Sequence, residues 1–189
     1  MAATVLINEW NGTVGVQGGT DKTGNTIKFK SADNSVVDIN NPLIRPNAGA
    51  YRSYEKWIRA YLSDLGGSAS ISNLEVFTVG SPNTGVSIWA RTYATYCDAA
   101  GDAEADPNAP RPGGYGSAGS LPDPKTNLFA ATSAAPISLG AGPFNANTDD
   151  GDIVEAGVGS YLALQMEVTR EAVIGGTRSY ELVLRYDEE

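Results

Sequence analysis

Turn-forming pairs recur along this chain and cut it into short pieces, so that long helices have little room to form. Asn11-Gly12, Gly18-Gly19 and Gly24-Asn25 punctuate the first part, Asn41-Pro42 and Arg45-Pro46-Asn47 follow, and Gly66-Gly67 and Gly175-Gly176 mark later breaks. Glycine reaches positive φ without a Cβ clash, while proline fixes φ and cannot donate to a ladder. With 22 glycines and 10 prolines in 189 residues, the chain reads as many short strands joined by turns.

Between these breaks lie pieces suited to strands. Residues 4–7, 13–17 and 26–30 are separated by the first three turns, and residues 36–39 offer another strand before the prolines. In residues 51–65 the apolar positions Tyr51, Tyr54, Trp57, Ile58, Tyr61, Leu62 and Leu65 fall at helical spacing, yet the aromatic and β-branched content also suits a strand. The alternation in residues 71–78 decides for β structure, giving two strands, residues 57–62 and 71–78, around Gly66-Gly67. Residues 85–96 carry large groups on both alternating faces, as expected of a central strand covered on both sides. Residues 161–168 and 179–186 flank Gly175-Gly176 and predict a hairpin.

Residues 98–151 differ from the rest, being rich in Gly, Pro, Ala, Asp and Asn. Only residues 127–132 and 136–139 suit short strands there. So long a structureless stretch is uncommon in a compact domain; it reads either as disorder or as an extended loop or arm that orders against a neighbour, and the arm is the reading preferred. The fold expected for residues 1–189 is a single all-β domain, an antiparallel β-sandwich of about eight strands, jelly-roll-like because of the long crossover. At 41% hydrophobic residues, the chain can bury a substantial core.

Charge and composition exclude several functions. A net charge of −9 disfavours nucleic acid, since counterion release needs clustered Lys and Arg, and it opposes adsorption to anionic membranes. No apolar run approaches the roughly 20 residues of a spanning helix. The first residues lack a basic stretch followed by an apolar core, so the chain is expected to stay in the compartment where it is made. Cys97 is the only cysteine and there is no histidine. Together these facts remove disulfide frameworks, multi-cysteine metal sites and every Ser-His or Cys-His nucleophile.

The remaining chemical motifs are weak. Ser53-Tyr54-Glu55-Lys56 matches Ser-x-x-Lys, but in a strand-like segment rather than at the start of a helix. Gly12, Gly15, Gly18 and Gly19 lack the Gly-Lys-Ser/Thr that completes a phosphate loop. Two oxygen-rich loops, one with Asp98, Asp102, Glu104 and Asp106 and the other with Asn145, Asn147, Asp149, Asp150 and Asp152, read as solvated loops. In the second, Gly151 and Glu155 miss the EF-hand spacing. No catalytic residue, cofactor or metal is expected. Tyr51, Tyr54, Trp57, Tyr61, Trp89, Tyr93, Tyr96 and Tyr115 suit packing and protein contacts, and also a sugar platform.

The run Tyr51-Arg52-Ser53-Tyr54-Glu55-Lys56-Trp57-Ile58-Arg59, the segment Ile71-Ser72-Asn73-Leu74-Glu75-Val76-Phe77-Thr78 and the sequence Leu184-Arg185-Tyr186-Asp187-Glu188 resemble structural proteins of tailed bacteriophages. This resemblance implies a non-enzymatic virion component assembled in the bacterial cytoplasm, such as a head decoration (cement) protein that bridges major capsid subunits, or a tail or neck protein. It implies other virion proteins as partners, with homo-oligomerisation expected and neither nucleic acid nor membrane. The candidate interface residues are Tyr51, Tyr54, Trp57, Tyr115, Phe129 and Phe144. The readings from other classes are a carbohydrate-binding β-sandwich module and a carboxylate-pair hydrolase.

Overall fold

The computed structural model describes residues 2–12, 18–68, 71–93, 96, 99, 121, 123–140, 160–175 and 179–188. Their regular structure is almost wholly β. The strands are β1 (Thr4–Asn11), β2 (Gly18–Asp21), β3 (Ala50–Arg52), β4 (Lys56–Asp64), β5 (Ile71–Val79), β6 (Val86–Tyr93), β7 (Thr126–Asn127), β8 (Ile137–Gly140), β9 (Tyr161–Thr169) and β10 (Glu181–Glu188). One 3₁₀ turn, Leu128–Ala130, follows β7.

Two antiparallel sheets pack against each other as a β-sandwich. Among the described residues the larger has seven strands, in the order β2-β1-β4-β9-β6-β7 with β3 also paired to β9, and the smaller has the order β10-β5-β8. The expected antiparallel double layer is present, while its seven-to-three division does not by itself make the jelly roll also expected. Strand β9 is the spine: β3 and β4 pair along one edge and β6 along the other. The step between β3 and β4 is a break at Ser53. Its N–H donates to the Met166 carbonyl and its hydroxyl accepts the Met166 N–H, while the Tyr54 N–H turns away to the carbonyl of Lys30.

Alternation places one set of side chains between the sheets. Ile58, Ala60 and Leu62 from β4, Ile88 and Ala90 from β6, and Leu162 and Leu164 from β9 meet Leu74 and Val76 of β5 and Leu139 of β8. Leu182 and Leu184 of β10 close this core from the smaller sheet. The opposite face of the larger sheet is also buried, under a second cluster of Trp57, Tyr93, Tyr96, Leu121, Tyr161 and Ala163. As β6 was expected to be, it is covered on both sides, with Ile88 and Ala90 in one layer and Tyr93 in the other.

Several sequence expectations are corrected. The strands around Gly175-Gly176 exist but do not form the expected hairpin, and the two expected around Gly66-Gly67 exist but do not pair with each other. Strands β4 and β9 lie in the larger sheet, β5 and β10 in the smaller. The six residues between Asp64 and Ile71 readily span the ~10 Å between stacked sheets. Residues 26–30 and 36–39 are not strands. Residues 13–17 lie outside the described residues, as does most of the expected arm. Residues 123–140 of that stretch, however, belong to the sandwich, β7 pairing with β6 and β8 with β5.

A lysine-clamped loop as candidate functional site

Along the β1–β4 ladder the inward face begins apolar and ends charged. Val5 faces Leu62 and Ile7 faces Ala60, but Glu9 comes opposite Ile58, and Lys56 opens β4 at the same end. Glu9 is 1% exposed and Lys56 not at all. Two further lysines reach this region from the irregular chain after β2: Lys30, fully buried, and Lys22, 8% exposed. Burying so many charges is costly unless each is paired and hydrogen-bonded.

The pairing is supplied by one loop. Lys56 Nζ donates to the carbonyl of Asn34 (2.7 Å), Lys22 Nζ to that of Ser35 (2.6 Å) and Lys30 Nζ to that of Val36 (2.8 Å). Three consecutive carbonyls thus each accept from a different ammonium. Glu9 lies 3.0 Å from Lys56 and 3.8 Å from Lys22, and Asp38 lies 3.3 Å from Lys30. Burial holds the Lys56 ammonium below its ordinary range, while the Glu9 charge and hydrogen bond oppose that shift. At Asp38 burial alone would raise the carboxyl, but the Lys30 hydrogen bond and charge and the Asn40 bonds outweigh it, so the group stays below its ordinary value.

The same loop caps its own backbone. Asn34 Oδ1 accepts the N–H of Val36, Asp38 Oδ1 accepts that of Asn40, and Asp33 Oδ2 accepts that of Gly12. Side-chain capping of this kind competes directly with a β ladder. Carbonyls taken by lysines and amides taken by Asn34 and Asp38 explain why residues 36–39 are not a strand. In residues 26–30, the Lys30 carbonyl goes to Tyr54 while its side chain turns to the loop.

What the clamp presents outward is apolar. Val36 is 56% exposed, Val37 54%, Ile39 89% and Ile44 61%. Isolated exposed aliphatics need no explanation, but four within nine residues, beside backbone held by buried charge, make this loop the candidate contact surface. Val173 and Ile174 are also exposed, and Arg45 donates to the neighbouring Ala172 carbonyl.

The aromatic interface residues expected from sequence are differently placed. Trp57 is fully buried, its indole N–H donating to Glu55 and its ring 4.8 Å from that of Tyr93 and 5.2 Å from that of Tyr96. Tyr54 is 5% exposed. Tyr51 is half-buried in β3 opposite Val168, and Phe129 packs edge-on against Tyr180 at 4.8 Å. Intramolecular packing therefore uses Trp57 and Tyr54 as core. Tyr115, Phe144, Cys97 and both oxygen-rich loops lie outside the described residues. Among the described residues no cluster of three or more potential metal ligands occurs, and no helix is long and apolar enough to cross a membrane.

Nor do Ser53 and Lys56 meet as the Ser-x-x-Lys motif would require. The Ser53 hydroxyl bonds the Met166 N–H, and Lys56 turns to Glu9 and Asn34. The loop residues Val36, Val37, Ile39 and Ile44 were missed because a Val-Val pair reads as a strand. The neighbouring Asp33-Asn34 and Asn40-Asn41-Pro42 turn formers were the available sign that it is not one. Comparison with protein-family models, with curated proteins and with solved structures found no match.

Proposed function

We propose that this protein is a non-enzymatic structural component of a virion, a decoration protein that docks on neighbouring capsid subunits through residues 36–44. The observation that carries the reading is the exposed Val36, Val37 and Ile39 on a backbone clamped by Lys22, Lys30 and Lys56. Full burial of each such aliphatic side chain is worth about 1.5–3 kcal/mol. Binding normally gives back much of this in ordering loops and side chains, but here the loop backbone is ordered when the protein folds. A shell with many equivalent sites adds avidity if the protein is oligomeric.

The virion setting rests on the resemblance to tailed-phage structural proteins. The sugar-platform alternative is weakened because Trp57, Tyr93, Tyr96 and Tyr161 pack on one another, with centroid separations from 4.8 to 6.1 Å. Their flat faces are spent inside the fold.

The test is cosedimentation with shells assembled from the major capsid protein of the same genome. Wild-type protein should bind saturably, and Ile39→Asp or Val37→Asp should weaken binding at least about tenfold while changing folding stability by less than about 0.5 kcal/mol. Undiminished binding by both variants would refute the loop as the docking element. No binding by the wild type would refute the head position and direct attention to tail or neck proteins.

A further inference from the structure

Asn11, Glu9 and Lys56 meet at the charged end of the β1–β4 ladder in a way that docking does not use. Glu9 pairs with Ile58 and Trp10 with Trp57, so the next antiparallel position sets Asn11 across from Lys56, on the face that also carries Glu9. Lys56 Nζ lies 3.0 Å from Glu9 Oε1. In the orientation its neighbours satisfy, the Asn11 amide nitrogen lies 3.3 Å from the same oxygen and 3.1 Å from Asp33 Oδ1. A single carboxylate oxygen thus touches a primary amine and a carboxamide.

The surroundings favour chemistry between them. Lys56 and Glu9 are 0% and 1% exposed, which limits competition from water. The Lys56 ammonium can pass a proton to Glu9 Oε1, 3.0 Å away, a transfer that burial of the charge favours, and the neutral amine so formed is a nucleophile. Strand pairing fixes the reactants side by side, the condition under which intramolecular reactions gain most.

We propose that Lys56 and Asn11 join in an intramolecular amide bond, with Glu9 carrying the proton. Lys56 Nζ first gives a proton to Glu9 Oε1 and, now neutral, attacks Asn11 Cγ. One amine proton passes through Glu9 Oε1 to the departing amide nitrogen, the Nζ–Cγ bond forms, the Cγ–Nδ2 bond breaks and ammonia leaves. Nothing is oxidised or reduced. The product amide keeps one N–H, which can stay on the Asn34 carbonyl that Lys56 already reaches at 2.7 Å. The bond would tie β1 to β4 covalently beside the clamped loop, and it stands independently of the capsid reading.

The test is the intact mass of the purified full-length chain, followed by tryptic mapping. The expected mass is one ammonia below that of the sequence. Acylated Lys56 resists trypsin, so residues 1–22 should appear linked to residues 53–59. Asn11→Ala should show its full sequence mass, no linked peptides and a lower Tm than the wild type. Glu9→Gln should form the link at least about tenfold more slowly, as expected on losing a positioned acid–base. A wild-type mass equal to that of the sequence would overturn the proposal. Loss of ammonia without linked peptides would overturn it equally, since cyclisation of Asn11 onto the Gly12 nitrogen has that signature. A Glu9→Gln protein that links as fast as wild type would overturn the role given to Glu9.

Discussion

At the residue scale, the sharpest constraints come from positions where a backbone shape or a buried group leaves no alternative. Gly85 sits at φ +71°, and a Cβ built there would meet the backbone of Ala172 and lie 2.8 Å from the carbonyl carbon of Glu171. Its carbonyl accepts the N–H of Thr169 at 2.9 Å, so the turn before β6 and the end of β9 hold each other. Gly85→Ala should destabilise the protein by at least about 2 kcal/mol, combining left-handed strain with the clash; urea unfolding would measure it. Trp57→Ala, which empties the centre of the aromatic cluster, should cost about 3–5 kcal/mol. That Trp57 was important was legible in the sequence, but its role was not. An aromatic side chain is equally suited to a core and an interface, and only the covering of this face by Tyr96 and Leu121 separates the two.

At the element scale, the sequence revealed strands more readily than their partners. The alternation in β4, β5, β6, β9 and β10 was visible because period two survives any choice of neighbour. Pairing was not, since Gly66-Gly67 and Gly175-Gly176 permit a hairpin and a crossing between sheets alike. The clamped loop was illegible for a related reason. Lys22, Lys30 and Lys56 are spread over 35 positions, and nothing local announces that they converge on three consecutive carbonyls. The loop should respond to acid through Asp38. Its folded pKa lies below the ordinary 3.8, so its contribution is complete above that pH and is lost as pH falls through the lowered value. Protection factors at residues 36–40, taken against the intrinsic exchange rate at each pH, should therefore fall in acid before the sandwich unfolds, and Asp38→Asn should remove that pH dependence. Lys30→Met, which leaves the Val36 carbonyl and Asp38 without their ammonium, should loosen the same amides at neutral pH.

At the scale of the whole molecule, β9 organises the fold, contributing Leu162 and Leu164 to the core between the sheets and Tyr161 and Ala163 to the aromatic layer behind. Leu162→Ala should cost about 2–5 kcal/mol and lower the cooperative Tm of the whole chain. The all-β class and the antiparallel sandwich were legible from turn spacing and alternation. The division into seven strands and three was not, because it depends on which connections cross between layers. On the proposed reading, a charged end that grips a loop of exposed aliphatics gives an assembly protein a docking surface ordered before its partner arrives. The direct measurement is amide hydrogen exchange of the protein free and bound to capsid shells. Protection concentrated at residues 36–44 is the result this account predicts; unchanged exchange there, with protection on another face of the sandwich, would contradict it.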